Sequence, residues 1–184
     1  MRVITGKAKG HHLKYPTGTT TRPVTDLVRG SMFSILENIA EDWSQILDIF
    51  AGSGALGIEA LSRGADWADF VEIEPKCCAI IKENLEKTRL SSQAKVYCRD
   101  AFKALSILDK EYSIILLDPP YANATTGDLI TQLAQSRLVG DKTTVAVSHS
   151  SRIPLQPSYA ALKVVKEQRH GDTCVSFYQK EVRP

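Results

Sequence analysis

The sequence predicts an α/β fold: a mostly parallel sheet of seven strands with helices on both faces, closed by a C-terminal antiparallel hairpin and preceded by a small N-terminal extension. Three observations carry this. From Ile46 onward, apolar runs of strand length alternate with segments of helical periodicity. A glycine-rich turn, "DIFAGSGALG" from Asp48 to Gly57, joins the first of those strands to a helix. The last two apolar runs flank His170-Gly171-Asp172, a hairpin turn signal.

The elements follow in order. "RPVTDLVRGSMFSILENIA" places Val28, Met32, Ile35, Leu36 and Ile39 at helical spacing, with Pro23 and Thr25 as helix-start residues. Gly30 inside that helix is unfavourable by about 1 kcal/mol relative to alanine. "ILDIF" reads as a strand, "GALGIEALSRG" as a helix ending in glycine, and "ADFVEI" as the next strand. "PKCCAIIKENLEKTRL" is a helix with Pro75 at its first position. "AKVYC", "YSIILL" and "TVAVSH" are further strands, separated by the helices "FKALSIL" and "GDLITQLAQSRL", and "LKVVKEQRHGDTCVSFYQK" supplies the hairpin. The expected organisation is one domain over 1–184, with a basic arm or hairpin over 1–24 and the α/β core over 25–184.

The 184 residues suit a single domain with a sizeable core, and 43% hydrophobic and 24% charged residues are those of an ordinary globule. No apolar run approaches the ~18–20 residues needed to span a bilayer. "MRVITGKAKG" lacks the apolar centre of a signal peptide. Cys77, Cys78, Cys98 and Cys174 show no metal-ligand spacing. A reduced, cytoplasmic, monomeric protein without metal is expected. The net charge of +2 is unevenly spread: residues 1–30 hold Arg2, Lys7, Lys9, Lys14, Arg22 and Arg29 against Asp26 alone, a local charge of +5. Such an arm suits contact with phosphate; a solvated terminus is the competing reading.

Gly52, Gly54 and Gly57 match the G-x-G-x-x-G spacing at which a backbone turns sharply and comes close to a nucleotide or nucleoside. A pyrophosphate needs an uncharged loop at a helix N-terminus. Here Asp48 stands in the strand just before the glycines, where it repels phosphate and attracts an ammonium group. Glu72, ending the next strand, is placed to accept both ribose hydroxyls. Asp100, after the third strand, is placed to meet an adenine amino group. Acids ending three successive strands suit a cationic nucleoside without phosphate, such as S-adenosylmethionine; NAD is the alternative for this loop taken alone.

The fourth strand runs into Asp118-Pro119-Pro120-Tyr121 at the same carboxyl edge. The prolines cannot continue a ladder and leave the strand as a stiff arm. The Asp118 carboxylate and the Pro119 carbonyl become fixed acceptors for the two N–H groups of an exocyclic amine. Such an amine is a poor nucleophile until its nitrogen is drawn towards tetrahedral geometry and its lone pair aimed. Tyr121 offers a ring on which an extruded base can stack, worth ~1–3 kcal/mol.

With "DPPY" and "DIFAGSGALG" together, the chain resembles the amino-methyltransferases. "RVITGKAKGHHL", "TRPVTDLVRGSMFSIL", "VEIEP" and "GDTCVSFYQ" extend a resemblance to the bacterial 16S ribosomal RNA guanine-N2 methyltransferases over nearly its whole length. The resemblance implies a Rossmann-like class I methyltransferase fold, S-adenosylmethionine as donor, and 16S rRNA of a partly assembled small ribosomal subunit as substrate. It implies that Asp48, Gly52, Gly54, Glu72 and Asp100 hold the donor, with Phe50 and Ala101 beside them. Asp118, Pro119, Pro120 and Tyr121 would hold the guanine amino group. Arg22, Pro23 and Thr25 would lie near the donor's methionine end and the RNA, and Arg2, Lys7, Lys9 and Lys14 would extend that contact. Gly30 departs from an acid, Thr5 from glycine and His11 from arginine in the family pattern. His149, after the fifth strand, reads as structural, and Glu74 as a helix N-terminal charge. The competing functions are a DNA adenine-N6 methyltransferase and a non-catalytic nucleotide- or RNA-binding module.

Overall fold

The computed structural model describes residues 1–16, 24–121 and 124–181. Its elements are α1 (Asp26–Ile39), β1 (Gln45–Ile49), α2 (Ala55–Ser62), β2 (Trp67–Glu72), α3 (Pro75–Lys87), β3 (Ala94–Cys98), α4 (Ala101–Ile107), β4 (Tyr112–Leu117), α5 (Thr126–Ala134), β5 (Val139–Ser150), β6 (Ser158–Tyr159), β7 (Leu162–His170) and β8 (Thr173–Lys180). All six residues of β4 are buried, as a strand flanked and covered on both sides requires. Its side chains alternate between two cores: Ile114 and Leu116 join Ile46, Phe70 and the helices α1 to α3, while Ile115 and Leu117 join Leu47, Ile49 and the helices α4 and α5.

The sheet order is β3-β2-β1-β4-β5-β8-β7-β6. The first five strands in that order pair in parallel, and β8 adds antiparallel to β5. β1 pairs with β2 on one side and β4 on the other, so the order reverses between β1 and β4 and leaves a crevice at their carboxyl ends. The expected sheet of seven strands gains an eighth, the two-residue β6, because Ser158 and Tyr159 turn back onto Lys163 and Leu162. β5 is also longer than the sequence suggests. It begins at Val139, with an irregularity between the Tyr112 and Ile114 pairings that hides the continuous pattern.

α1 starts where a cap is available: the Thr25 hydroxyl accepts the Val28 amide at 3.3 Å. Gly30 lies inside α1, and a methyl group there would meet only Ile4 Cδ1, at 3.9 Å. Gly30→Ala is therefore expected to raise stability by about 1 kcal/mol. For a chain of this length, thermal unfolding should show a midpoint higher by roughly 2–4 °C.

Residues 1–14 form a docked arm. Arg2 and His12 make an antiparallel bridge, supported by Val3 donating to His11 at 3.0 Å and Leu13 to Met1 at 3.0 Å. The arm's backbone is gripped by buried polar side chains of α2 and α3. Glu59 accepts the Ile4 and Thr5 amides at 2.8 and 3.1 Å, and Ser62 accepts the Ala8 amide at 2.9 Å. Asn84 accepts the Lys14 amide at 2.7 Å and donates to the Lys14 carbonyl at 2.9 Å. Glu59, Ser62 and Asn84 are each buried, so removing the arm would take hydrogen-bond partners from all three, leaving Glu59 to Arg63 and Asn84 to the Ser53 carbonyl.

Candidate active site

β1 delivers Asp48 to the crevice, and the chain then turns through Phe50 at φ 62°, Gly52 at φ 56° and Gly54 at φ 79°. A left-handed phenylalanine costs of order 1–3 kcal/mol and persists only where its surroundings fix it. The turn is tied to β2 by Ala51 donating to the Val71 carbonyl at 3.1 Å and by Gly52 donating to Glu72 Oε2 at 2.8 Å. A side chain at Gly52 would point into open space, which is the approach a ligand needs. Gly57 differs: a Cβ there would lie 2.3 Å from the Phe70 ring, so this glycine sets the packing of α2 on β2.

The turn borders a cavity of about 330 Å³ at the carboxyl ends of β1, β2 and β4, walled by Asp48, Phe50, Gly52, Glu72, Asp118 and Pro120 among others. Asp48 Oδ2 accepts the Gly57 amide at 2.9 Å, while Oδ1 has no partner. Burial, reinforced by the nearby Asp118 and Glu72 charges, pushes the Asp48 carboxyl up to about 8. Glu72 accepts the Gly52 and Glu74 amides, one on each oxygen, at 2.8 and 2.9 Å, and each oxygen keeps a lone pair for a further donor. Asp118 is half-buried; burial pushes its carboxyl up to about 7, against a hydrogen bond from Ser148 that favours the ionised form.

Pro119 is buried and Pro120 exposed. Tyr121 is 41% exposed, and its hydroxyl lies 2.9 Å from Thr173 Oγ1 and 3.3 Å from Ser148 Oγ, so its ring is tied to β5 and β8 outside the cavity walls. Gly54 caps α2 and packs on Ile81. Asp100 caps α4 by accepting the Lys103 amide at 3.1 Å, and neither it nor Ala101 walls the cavity. Glu74 stands at the N-terminus of α3 and does wall it. His149 is held by Ser176 at Nε2 (2.9 Å) and by the Ser150 and Ile153 carbonyls at Nδ1 (3.0 and 3.1 Å).

On the arm, Lys7 donates to Gln93 at 2.6 Å and Lys14 pairs with Glu83 at 2.7 Å on the surface. Arg2 and Lys9 border a second, smaller cavity of about 190 Å³. Thr25 is occupied as the α1 cap. Arg22 and Pro23 lie outside the described residues. Among the wall residues that sequence reasoning missed are Met1, Tyr15 and Pro16 near the N-terminus and Arg29 of α1. The signal for Arg29 was available, since it lies among Val28, Met32, Phe33 and Leu36 on the buried face of α1.

A glycine turn and acids gathered at the crevice between β1 and β4, under a parallel sheet extended by an antiparallel hairpin, define a Rossmann-like class I methyltransferase fold. The family model described as "Conserved hypothetical protein 95" matches residues 1–179. The chain is 37% identical to a Bacillus subtilis protein named "Putative rRNA methyltransferase YlbH", over 98% of this chain and 99% of that one. It is 31% identical to "Ribosomal RNA small subunit methyltransferase D" of Escherichia coli K12, over 100% of this chain and 91% of that one. A solved structure from Escherichia coli, "Putative methyltransferase yhhF", superposes with a TM-score of 0.86 at 30% identity, covering 100% and 99% of the two chains. The chain belongs to this family, that of the ribosomal RNA small subunit methyltransferase D-like methyltransferases.

Proposed function

We propose that the protein transfers the methyl group of S-adenosylmethionine to the exocyclic N2 amine of a guanine in 16S rRNA of a partly assembled small subunit. The observation that carries this reading is the convergence of Asp48, Glu72 and Asp118 on one cavity beside an open glycine turn. The residues present fit the donor: Asp48 Oδ1 is an unpartnered acceptor for an ammonium group, and Glu72 retains lone pairs for ribose hydroxyls. When bound, the donor supplies an electrophilic methyl group on a positively charged sulfur.

The protein's part is to orient and to exchange a proton. Asp118 and the Pro119 carbonyl accept the two N–H bonds of the amine, turning its lone pair towards the methyl group. Asp118 or water would take the proton that the amine gives up when its lone pair is spent on the methyl group supplied by the donor. Pro119 and Pro120 keep the acceptors from following the nitrogen as it changes shape. The docked arm offers Arg2, Lys7, Lys9 and Lys14 to RNA phosphates, with Thr25, Arg22 and Tyr121 completing the contact. Among the described residues no helix is long and apolar enough to cross a membrane.

Incubating labelled donor with partly assembled small subunits, followed by nucleoside identification, tests the reading. Label in N2-methylguanosine is expected. Label in N6-methyladenine of added DNA, or calorimetric binding of NAD in place of S-adenosylmethionine, would contradict it. A further expectation concerns the arm. Replacing Lys7, Lys9 and Lys14 with glutamine should flatten the dependence of RNA affinity on salt by roughly 0.7–0.9 in log–log slope for each phosphate that these lysines neutralise. An unchanged slope would mean that these lysines do not meet RNA.

A further inference from the structure

Among the described residues, five buried side-chain polar atoms have no hydrogen-bond partner, and three belong to two residues that wall the same cavity: Arg29 Nε, Arg29 Nη1 and Asp48 Oδ1. Buried groups of this kind are normally paired, because each unmet donor or acceptor costs about 1–3 kcal/mol, more when charged. A cationic group and a carboxyl, both unmet in one cavity, describe the negative of a ligand that carries a carboxylate and an ammonium.

We propose that Arg29 and Asp48 form a two-pole clamp for the α-amino-acid end of the donor, Arg29 taking the carboxylate and Asp48 the ammonium. The clamp rests on the donor reading above and adds Arg29 as the residue that distinguishes an amino acid from a simple amine.

The local chemistry suits the role. Arg29 is fully buried, yet its Nη2 alone is engaged, donating to Asp26 Oδ1 at 3.0 Å and to the Arg2 carbonyl. Those two bonds fix the guanidinium plane and leave the Nε–H and the Nη1 hydrogens unmet, and either donates a charge-assisted hydrogen bond to a carboxylate oxygen. Burial lowers the Arg29 pKa, while the Glu59 and Asp26 charges raise it, and an arginine in such surroundings remains protonated. Asp48 is fixed on its other oxygen by the Gly57 amide, so Oδ1 is the free pole. Glu72, Ile73 and Cys77 belong to the β2–α3 side of the cavity and remain for the nucleoside. The Arg2 carbonyl held by Arg29 also joins the clamp to the arm.

The test is a ligand series on the full-length protein by calorimetry: S-adenosylhomocysteine, its decarboxylated analogue, its deaminated analogue, and methylthioadenosine. Removing the carboxylate is expected to weaken binding at least about tenfold in the wild type, since hydrogen bonds to charged groups carry about 1.5–3 kcal/mol. In Arg29→Met the homocysteine and decarboxylated ligands should bind within about threefold of one another, because the group that reads the difference is gone. Asp48→Asn should lose discrimination against the deaminated ligand instead. A readout that needs no variant is the Arg29 Nε–H resonance in nitrogen-15-labelled wild type. It should move with S-adenosylhomocysteine and stay in place with the decarboxylated analogue. Equal wild-type affinity for those two ligands, an unmoved Arg29 signal, or continued discrimination by Arg29→Met would overturn the clamp while leaving the donor reading intact. Failure of the wild type to bind S-adenosylhomocysteine at all would overturn the donor reading, and the clamp with it.

Discussion

Asp118→Asn is expected to lower the rate of methyl transfer by about 10²–10³-fold, the usual effect of removing one preorganised electrostatic partner from a reacting group. Donor affinity should stay within a few-fold of wild type, because the amide keeps the volume of a group that faces the acceptor and not the donor's charged end. The asparagine oxygen can still accept one N–H, but the charge that favours the developing positive nitrogen is gone, and so is a place for the released proton. The wild-type rate at saturating donor should also carry a titration. The form that accepts the amine is the ionised one, and the Asp118 carboxyl is pushed up to about 7 by burial. The rate should therefore rise with pH through about 7 and level off above it, and Asp118→Asn should lack that limb. Single-turnover measurements between pH 6 and 9 provide the check. A variant that retained both full rate and the rising limb would remove Asp118 from the chemistry.

Asp48→Asn should move stability and binding in opposite directions. The Asp48 carboxyl is pushed up to about 8 by burial and by the Asp118 and Glu72 charges, against the hydrogen bond from the Gly57 amide. The sign follows from where the proton is held. Between the ordinary carboxylate range and about pH 8 the folded protein keeps a proton that the unfolded chain has released. Stability therefore falls as pH rises, by up to about 1.4 kcal/mol per unit from this group. Asparagine removes that loss and still accepts the Gly57 amide. At pH 8 the variant should melt higher than wild type by at least roughly 5 °C, with the gap closing towards pH 5. Asp118 adds a slope of the same sense up to about 7 in both proteins and cancels in the comparison. Donor affinity should meanwhile fall by about 10–100-fold, the cost of losing a charged acceptor for the ammonium. Wild-type binding should release a proton near pH 7, visible as a dependence of the calorimetric heat on the buffer's ionisation enthalpy. A variant equal to wild type in melting temperature at both pH values would mean that Asp48 is ionised in the free protein.

Much of this was readable from residues alone because the informative signals are local. Alternating strand and helix runs, glycines at left-handed positions and prolines after β4 each constrain their own backbone. What was not readable was set by contacts between distant segments. β6 is two residues long, too short for any periodicity, and exists because Tyr159 pairs with Leu162. The docking of the arm depends on Glu59, Ser62 and Asn84, which in sequence are three unremarkable polar residues on α2 and α3 and in space are the sockets for residues 4–14. Arg29 reads as one of the basic charges of residues 1–30, whereas the fold buries it and makes it part of the cavity wall. Asp100 reads as a ligand-facing acid, and the fold uses its side chain to cap α4. The tyrosine of Asp118-Pro119-Pro120-Tyr121 reads as a free platform, whereas its hydroxyl is anchored to Thr173 and Ser148.

A crystal structure of the protein with S-adenosylhomocysteine bears most directly on the site. The thioether is expected at the β1–β4 crevice, facing the Asp118 carboxylate and the Pro119 carbonyl, with ribose on Glu72 and the amino-acid end between Asp48 and Arg29. A nucleoside seated elsewhere on the sheet, or a sulfur turned away from those two oxygens, would contradict it.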